Sequence, residues 1–303
     1  MSPARRVPPE DAPVERLHLR STVPGVDHLA IEAWCVREGT AGGAGVGWGL
    51  WSGEEYTGIS WDAYVRNVGG EGADPNVVLL RDLPVGALVW ARLRDSSYWL
   101  GRLQGEWEYR DGDEAQRLDM FNVRRCRWRK VGTQDAVPGK VVNNFSARKT
   151  LNPVADWGAV EYTRRLYRQL TGETSELQAL DPADVGSLLG AVDLEDLVAA
   201  YLQDRHNLVL VSRGHSTVGY EYVLRDRDTG RKAVATVKSG GAPVDLDALP
   251  TGADVDVWAY AVQERNWTGA PRDDVRWIST KELVDFLNTR RHVLPDQVNR
   301  WLA

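Results

Sequence analysis

Two charged residues interrupt apolar segments in the last third of the chain. Lys238 ends the run 233–238 and is followed by Ser239 and the glycine pair 240–241, and Glu221 stands within the run 219–224. A charge in such a strand is costly unless it is paired or reaches a cleft. On neighbouring strands a carboxylate can bind Mg²⁺ and a lysine can orient or deprotonate water, which is the chemistry of phosphodiester hydrolysis. A buried ion pair between Glu221 and Lys238 is the alternative interpretation.

The surrounding pattern predicts the elements that would position these residues. Asp181 and Pro182 are typical of a helix start, and Asp193 is expected to cap a second helix. Ser279 and Glu282 have the spacing of a capping box before a last helix. Strands are predicted over 207–212, 220–225, 232–238, 255–262 and 275–279. This alternation indicates an α/β or mixed α+β domain.

These features resemble the core of the PD-(D/E)xK nuclease superfamily, in particular the Mrr-like restriction endonucleases, over about residues 185–290. In that fold a helix carries an acid, and a hairpin carries a second acid and an acid-x-lysine triplet. The resemblance implies Glu221 as a metal-binding acid, Lys238 as the catalytic lysine and Glu195 as the helix acid. Glu195 also lies in a first helical turn, where an acid favours the helix dipole whatever its function.

The triplet departs from the family pattern at its first position. Thr236 stands where the family has Glu, or Gln in the Mrr-like branch. The resemblance then implies Glu221 and the carbonyl of Val237 as metal ligands, with Thr236 and Glu195 as further members of the site. A threonine hydroxyl is a poor Mg²⁺ ligand beside a carboxylate.

The function implied by this resemblance is Mg²⁺- or Mn²⁺-dependent cleavage of foreign or modified DNA, as in bacterial antiphage defence. A homodimer is expected because a duplex has two strands to cut. The alternative is a catalytically degenerate nuclease fold that senses nucleic acid or assembles with a partner protein of a defence system. Metal binding that depends on Glu221 distinguishes the two.

The first half of the chain is rich in tryptophan and in predicted short strands. Strands 88–93 and 98–103, a strand over 121–131 and the glycine-rich stretch 39–49, interpreted as a mobile loop, predict a small β-barrel or curled sheet. Residues 28–36 are also expected to form a strand, and residues 157–170 a connecting helix capped by Asp156.

In outline, this half resembles the PUA and EVE modules, small barrels that read nucleic acids or modified bases. The resemblance implies an aromatic pocket for a base and a cationic face for phosphates. The pocket would be formed by Trp48, Trp90, Trp99 and Trp107, and the cationic face by Arg124, Arg125, Arg127 and Lys149. Burial of most of these tryptophans in the core is the alternative, and binding of a small nucleotide-like ligand is a third interpretation.

Charge and composition limit which other kinds of protein this chain can be. The 303 residues carry a net charge of −6, yet eight basic residues and one acidic residue lie between Met120 and Lys149. A localised anionic partner is one interpretation of this basic segment, and pairing with nearby acids is the other. Two cysteines and five scattered histidines provide neither a disulfide framework nor a zinc motif. No apolar run approaches the ~20 residues that span a bilayer, so a cytoplasmic protein is expected.

The predicted fold class is α+β, with a small N-terminal β-barrel-like domain and a C-terminal restriction-endonuclease-like α/β domain. The expected segments are a flexible arm (1–27), a nucleic-acid or modified-base reader (28–155), a connecting helix and linker (156–175) and the nuclease-like domain (176–303).

Overall fold

The chain divides into two compact units, Met1–Leu177 and Gln178–Ala303. The computed structural model describes residues 8–19, 21, 23–36, 41–47, 49, 58–68, 72–173, 184, 186, 188–214, 219–263 and 266–302. Both units combine helices with a sheet, so the α+β class is confirmed.

The described strands of the first unit form one sheet in the order β2-β5-β4-β3-β1-β6. They are β1 (Val14–Leu17), β2 (Ala41–Val46), β3 (Leu88–Arg92), β4 (Tyr98–Tyr109), β5 (Asn122–Gly132) and β6 (Leu151–Pro153). Neighbouring strands are antiparallel except β1 and β3, which are parallel. The predicted hairpin over residues 88–103 is confirmed, and its second strand runs on to Tyr109.

Helices cover both faces of this sheet. They are α1 (His28–Cys35), α2 (Trp61–Asn67), α3 (Pro75–Asp82), α4 (Asp113–Leu118), α5 (Gly139–Asn144) and α6 (Trp157–Thr171). On one face, Trp99, Leu103 and Trp128 share a core cluster with residues of α1, α2 and α3. On the other face, the indole of Trp90 donates to Thr163 Oγ1 of α6 over 3.0 Å. As predicted, Asp156 caps α6 by accepting from the Ala159 amide.

The predicted barrel is wrong for the described part of the chain. β2 and β6 lie at opposite edges of an open sheet, so the described strands do not close on themselves. The sheet buries its apolar side chains under helices on both faces, which removes the need for closure. The arm predicted over 1–27 also differs from the structure, because residues 14–17 form β1 between β3 and β6 and are buried throughout.

The segment 28–36 was predicted as a strand and forms helix α1. The side chain of Asp27 accepts from the amides of Leu29 and Ala30, and this N-cap starts the helix. Ile31 and Cys35, which are both buried, lie one helical turn apart. Local apolar content does not distinguish this pattern from a strand in so short a segment.

The glycine-rich loop predicted over 39–49 instead contains strand β2. A Cβ added at Gly42 would lie 1.9 Å from the carbonyl oxygen of Cys35, and one at Gly43 would lie 2.5 Å from the Trp34 ring. The glycines therefore allow the end of α1 to pack directly on the strand.

We expect Gly42→Ala to lower the free energy of unfolding by about 3 kcal/mol, because the clash is with backbone rather than with a movable side chain. Chemical denaturation, monitored by circular dichroism, measures this free energy. Gly105→Ala is the matched control, since its Cβ would make an ordinary 3.4 Å contact with Arg125. We expect the control to change stability by less than about 0.5 kcal/mol, and equal effects of the two substitutions would contradict the packing argument.

The second unit is built on a mixed sheet in the order β13-β11-β9-β8-β7. Its strands are β7 (Leu208–Arg213), β8 (Tyr222–Asp226), β9 (Lys232–Lys238), β11 (Val255–Ala261) and β13 (Val275–Trp277), with β10 (Val244–Asp245) and β12 (Trp267–Thr268) pairing separately. β7, β8 and β9 are antiparallel neighbours, while β11 is parallel to both β9 and β13. The predicted strands are confirmed within a few residues.

The described helices of this unit are α7 (Ala191–Arg205), α8 (Thr280–Thr289) and α9 (Asp296–Trp301). The capping box of Ser279 and Glu282 is confirmed at the start of α8. Asp193 was expected to cap α7, but this prediction is wrong. The N-cap is Gly190, and Asp193 lies in the first turn of the helix. The predicted helix start at Asp181 and Pro182 lies outside the described residues. No helix in the described segments is long and apolar enough to cross a membrane.

Candidate functional site

Glu221 and Lys238 form a direct ion pair on the hairpin of β8 and β9. Glu221 immediately precedes β8, and its Oε1 accepts from Lys238 Nζ over 2.6 Å. Its Oε2 accepts from the backbone amide of Val237 over 2.8 Å. Because the side chains are 29% and 20% exposed for Lys238 and Glu221, the pair is reachable from solvent. Both carboxylate oxygens are oriented by β9, yet each retains a lone pair for a further ligand.

Glu195 brings a second carboxylate to this pair. Helix α7 packs against β7 and β9 through buried residues that include Leu194, Leu197 and Val198. Burial, together with the negative charges of Glu221 and Asp196, raises the pKa of Glu195 to about 6, while Lys238 and Arg213 oppose the shift. Glu195, Glu221 and Lys238 therefore lie within electrostatic reach of one another, as the resemblance implied.

A neighbouring polar network was not predicted from the sequence. Asp196 Oδ1 accepts from the hydroxyl of Tyr222 over 3.1 Å and pairs with Arg213 over 2.7 Å. Asp196 follows Glu195 and Tyr222 follows Glu221, so both partners stand next to predicted site residues. Their position next to Glu195 and Glu221 is a sequence signal for Asp196 and Tyr222. Only the packing of α7 on the sheet, however, shows that these two residues contact each other. The network joins the helix to the hairpin beside the two acids.

Thr236 is buried in the middle of the sheet. It is only 1% exposed, and its hydroxyl oxygen has no hydrogen-bond partner among the described residues. It pairs in register with Ala259 of β11. The position predicted to hold a site residue thus carries a buried hydroxyl and provides no third carboxylate.

Glu195 and Glu221 are the carboxylates of this site that could serve as ligands of a divalent cation of the Mg²⁺ type. Mg²⁺ commonly takes one or two carboxylates and completes its shell with water and substrate phosphates. The two acids match this, and the pKa of Glu195, raised by burial and by Glu221, indicates crowded negative charge that a cation would relieve. No group of three or more acidic, histidine or cysteine side chains suited to a metal occurs among the described residues.

We expect Glu195→Gln to be more stable than the wild type at pH 8. The folded-state pKa of about 6 lies above the ordinary value of 4.5, so folding binds a proton between those values and wild-type stability falls as pH rises through them. Gln carries no charge and escapes this penalty, which after solvent screening is about 1 kcal/mol. Denaturation at pH 4 and pH 8 measures the difference, and equal stabilities of both proteins at pH 8 would contradict it.

The aromatic pocket predicted in the first unit is wrong for the tryptophans that the structure describes. Trp90, Trp99 and Trp107 are each buried, and each indole N–H donates internally, to Thr163, Ser97 and Asn122 respectively. Trp90 also faces the opposite side of the sheet from the cluster that holds Trp99 and Trp107. Trp48 lies outside the described residues. These three rings are part of the hydrophobic core. A tryptophan can be buried in this way once its indole N–H has an acceptor inside the protein.

The predicted cationic strand face divides into one buried and two exposed arginines. Arg124 is fully buried and donates to the backbone oxygens of Gly105, Leu80 and Leu83, so its assignment as a phosphate contact is wrong. Arg125 and Arg127 are exposed on the other face of β5, and Arg127 stands directly opposite Arg102 of β4. Lys149 is also exposed. Like charges opposite each other on neighbouring strands disfavour pairing, and Arg102 also approaches the carboxylate of Glu173 at 3.9 Å.

No known protein family, curated protein or solved structure gave a significant match to this chain.

Proposed function

We propose that the second unit is a divalent-metal-dependent endonuclease of the PD-(D/E)xK type that acts on DNA. The observation that carries this proposal is the convergence of Glu195, Glu221 and Lys238, with Lys238 Nζ 2.6 Å from Glu221 Oε1. Two carboxylates and a lysine on one helix and one hairpin can hold a cation and orient water. A purely structural ion pair needs only one of these acids.

The order of elements supports the same proposal. A helix carrying an acid, α7, is followed by antiparallel strands that carry the second acid and the lysine, as the nuclease fold requires. The parallel strands β11 and β13 and helix α8 follow, which makes the unit α/β in its second part. The restriction-endonuclease-like assignment rests on this order together with the site.

The roles of the residues follow from their positions. Glu195 and Glu221 would hold Mg²⁺ or Mn²⁺, with the Val237 carbonyl as the further ligand that the resemblance implies. The cation would supply charge neutralisation at the phosphodiester. Lys238 is fixed by Glu221 and has ammonium protons beyond that bond, so it can orient an attacking water.

DNA contacts of the first unit complete the proposal. Arg125, Arg127 and Lys149 are exposed and suited to backbone phosphates, which fix position without reading sequence. The preferred substrate would be foreign or modified DNA in antiphage defence, and the cleaving form a homodimer. Binding of this kind weakens as salt increases, since neutralised phosphates release counterions.

A second candidate function is favoured by Thr236. Its buried hydroxyl replaces the expected acid or amide, so the cluster has two carboxylates rather than three. A degenerate nuclease fold that binds nucleic acid as a sensor, or as a partner of another defence effector, needs no metal. The ion pair of Lys238 and Glu221 would then serve stability alone.

Metal titration separates the two candidates. We expect the full chain to bind one Mn²⁺ in isothermal titration calorimetry and Glu221→Gln to weaken binding at least tenfold, because one of two carboxylate ligands is lost. Asp285→Asn removes an exposed carboxylate from α8 and is the matched control. Absence of Mn²⁺ binding, or binding that Glu221→Gln leaves unchanged, would favour the degenerate fold.

A further inference from the structure

A pocket lies on the first unit between β2, β5 and the end of β4. It has a volume of about 390 Å³ and is lined by Trp34, Gly43, Arg110, Glu114, Arg124 and Arg125, among others. This volume lies within the range of small-molecule sites. Trp90, Trp99 and Trp107, the described members of the predicted base pocket, do not line it.

The lining combines an aromatic ring with hydrogen-bonding groups. Trp34 is partly exposed, its indole N–H donates to Glu114 Oε2 over 3.2 Å, and the Arg110 guanidinium stands 5.5 Å from its ring centroid. The Trp34 ring is also held by its close approach to Gly43. An oriented indole of this kind offers a planar ligand a stacking surface, and Glu114 can accept from an amino group on that ligand.

The charge at the pocket is predominantly positive. Arg124 lies beneath it, makes its hydrogen bonds to backbone oxygens and forms no ion pair among the described residues. Arg110 and Arg125 both approach the carboxylate of Glu108, at 3.2 Å and 3.6 Å. A single carboxylate thus holds two guanidinium groups at a separation that suits the oxygens of a phosphate.

We propose that this pocket binds a nucleoside monophosphate group, either free or as one unit of a single-stranded nucleic acid. The base stacks on Trp34 with an amino group donating to Glu114, and the phosphate takes the place of Glu108 between Arg110 and Arg125. This proposal concerns the first unit alone and does not depend on the metal site.

Calorimetry with the full chain tests it without metal, using AMP, CMP, GMP and dTMP in one arm and short single-stranded DNA and RNA in the other. We expect saturable binding that Arg125→Gln weakens at least tenfold and that falls with added salt. Arg66→Gln removes an exposed arginine at the end of α2 that belongs neither to this pocket nor to the proposed DNA contacts, so it is the control and should bind as the wild type does. Glu108→Gln should bind at least threefold more tightly, because it releases both arginines; a merely structural role for Glu108 predicts no such gain.

The two arms identify the source of the ligand. Binding of mononucleotides supports a free nucleotide, whereas binding of oligonucleotides alone, with the same response to Arg125→Gln and Glu108→Gln, supports nucleic acid. No binding in either arm, or binding that both variants leave unchanged, would overturn the proposal. Failure of metal binding or of DNA cleavage would leave these measurements unaffected, so the two proposals fail separately.

Discussion

Lys238→Ala should lower the rate of metal-dependent DNA cleavage by at least a hundredfold. The substitution removes the only ammonium group that contacts Glu221 among the described residues, and with it the group proposed to orient the attacking water. Proton transfer and water positioning by a placed side chain are worth about 10²–10⁴ in rate. Conversion of supercoiled plasmid or phage DNA, modified and unmodified, in Mg²⁺ or Mn²⁺ measures the effect.

Lys232→Ala is the matched control, since Lys232 is an exposed lysine at the other end of β9. It should cleave at the wild-type rate. DNA affinity should be the same in both variants, because neither lysine belongs to the proposed phosphate contacts. If the wild type cleaves DNA and Lys238→Ala cleaves it at the same rate, the role of Lys238 in orienting the attacking water is contradicted. Absence of cleavage by the wild type, with DNA binding intact, would favour the sensor.

Arg124→Leu should lower the free energy of unfolding of the first unit by about 3 kcal/mol. Burial lowers the pKa of this guanidinium to about 10, so it remains charged at neutral pH. Its donors satisfy the carbonyl oxygens of Gly105, Leu80 and Leu83, which join β4 to the end of α3. Leucine fills part of the volume but leaves these oxygens without a donor, and urea denaturation measures the loss.

Arg125→Leu is the neighbouring control, because this side chain is 65% exposed and makes only a 3.6 Å contact with Glu108. It should change stability by less than about 0.5 kcal/mol. Equal losses of stability in the two variants would indicate that replacing any arginine of β5 is destabilising, and that the buried hydrogen bonds of Arg124 are not the cause. Comparison of the two variants therefore distinguishes a buried arginine from an exposed one at adjacent positions of the same strand.

The second unit was largely predictable because its signals are local. The capping box of Ser279 and Glu282, the turn before Lys232 and the apolar run that became β11 each depend on residues close in sequence. The same holds for Glu221 and Lys238, whose strands are joined by one hairpin. What could not be predicted is that Asp196 and Tyr222 meet, because that contact depends on how α7 packs on the sheet.

The first unit was less predictable because its decisive contacts are distant in sequence. Arg124 and Arg125 both resemble surface residues of a basic strand until their partners are known. β2 resembles a loop by composition, and only the approach of Cys35 and Trp34 explains its glycines. The buried tryptophans resemble binding residues for the same reason, since the sequence does not reveal which indoles have internal acceptors.

The position of β1 has a consequence for how the first unit acquires its structure. Residues 14–17 pair with β3 on one side and with β6 on the other, so the start of the unit is held by strands from its middle and from near its end. During synthesis the sheet cannot be completed until residue 153 has left the ribosome. Such high contact order slows folding and leaves the outer edge of β1 open until β6 is made. The unit is therefore expected to fold late and as a whole, and removal of its first strand would expose the edge of β3.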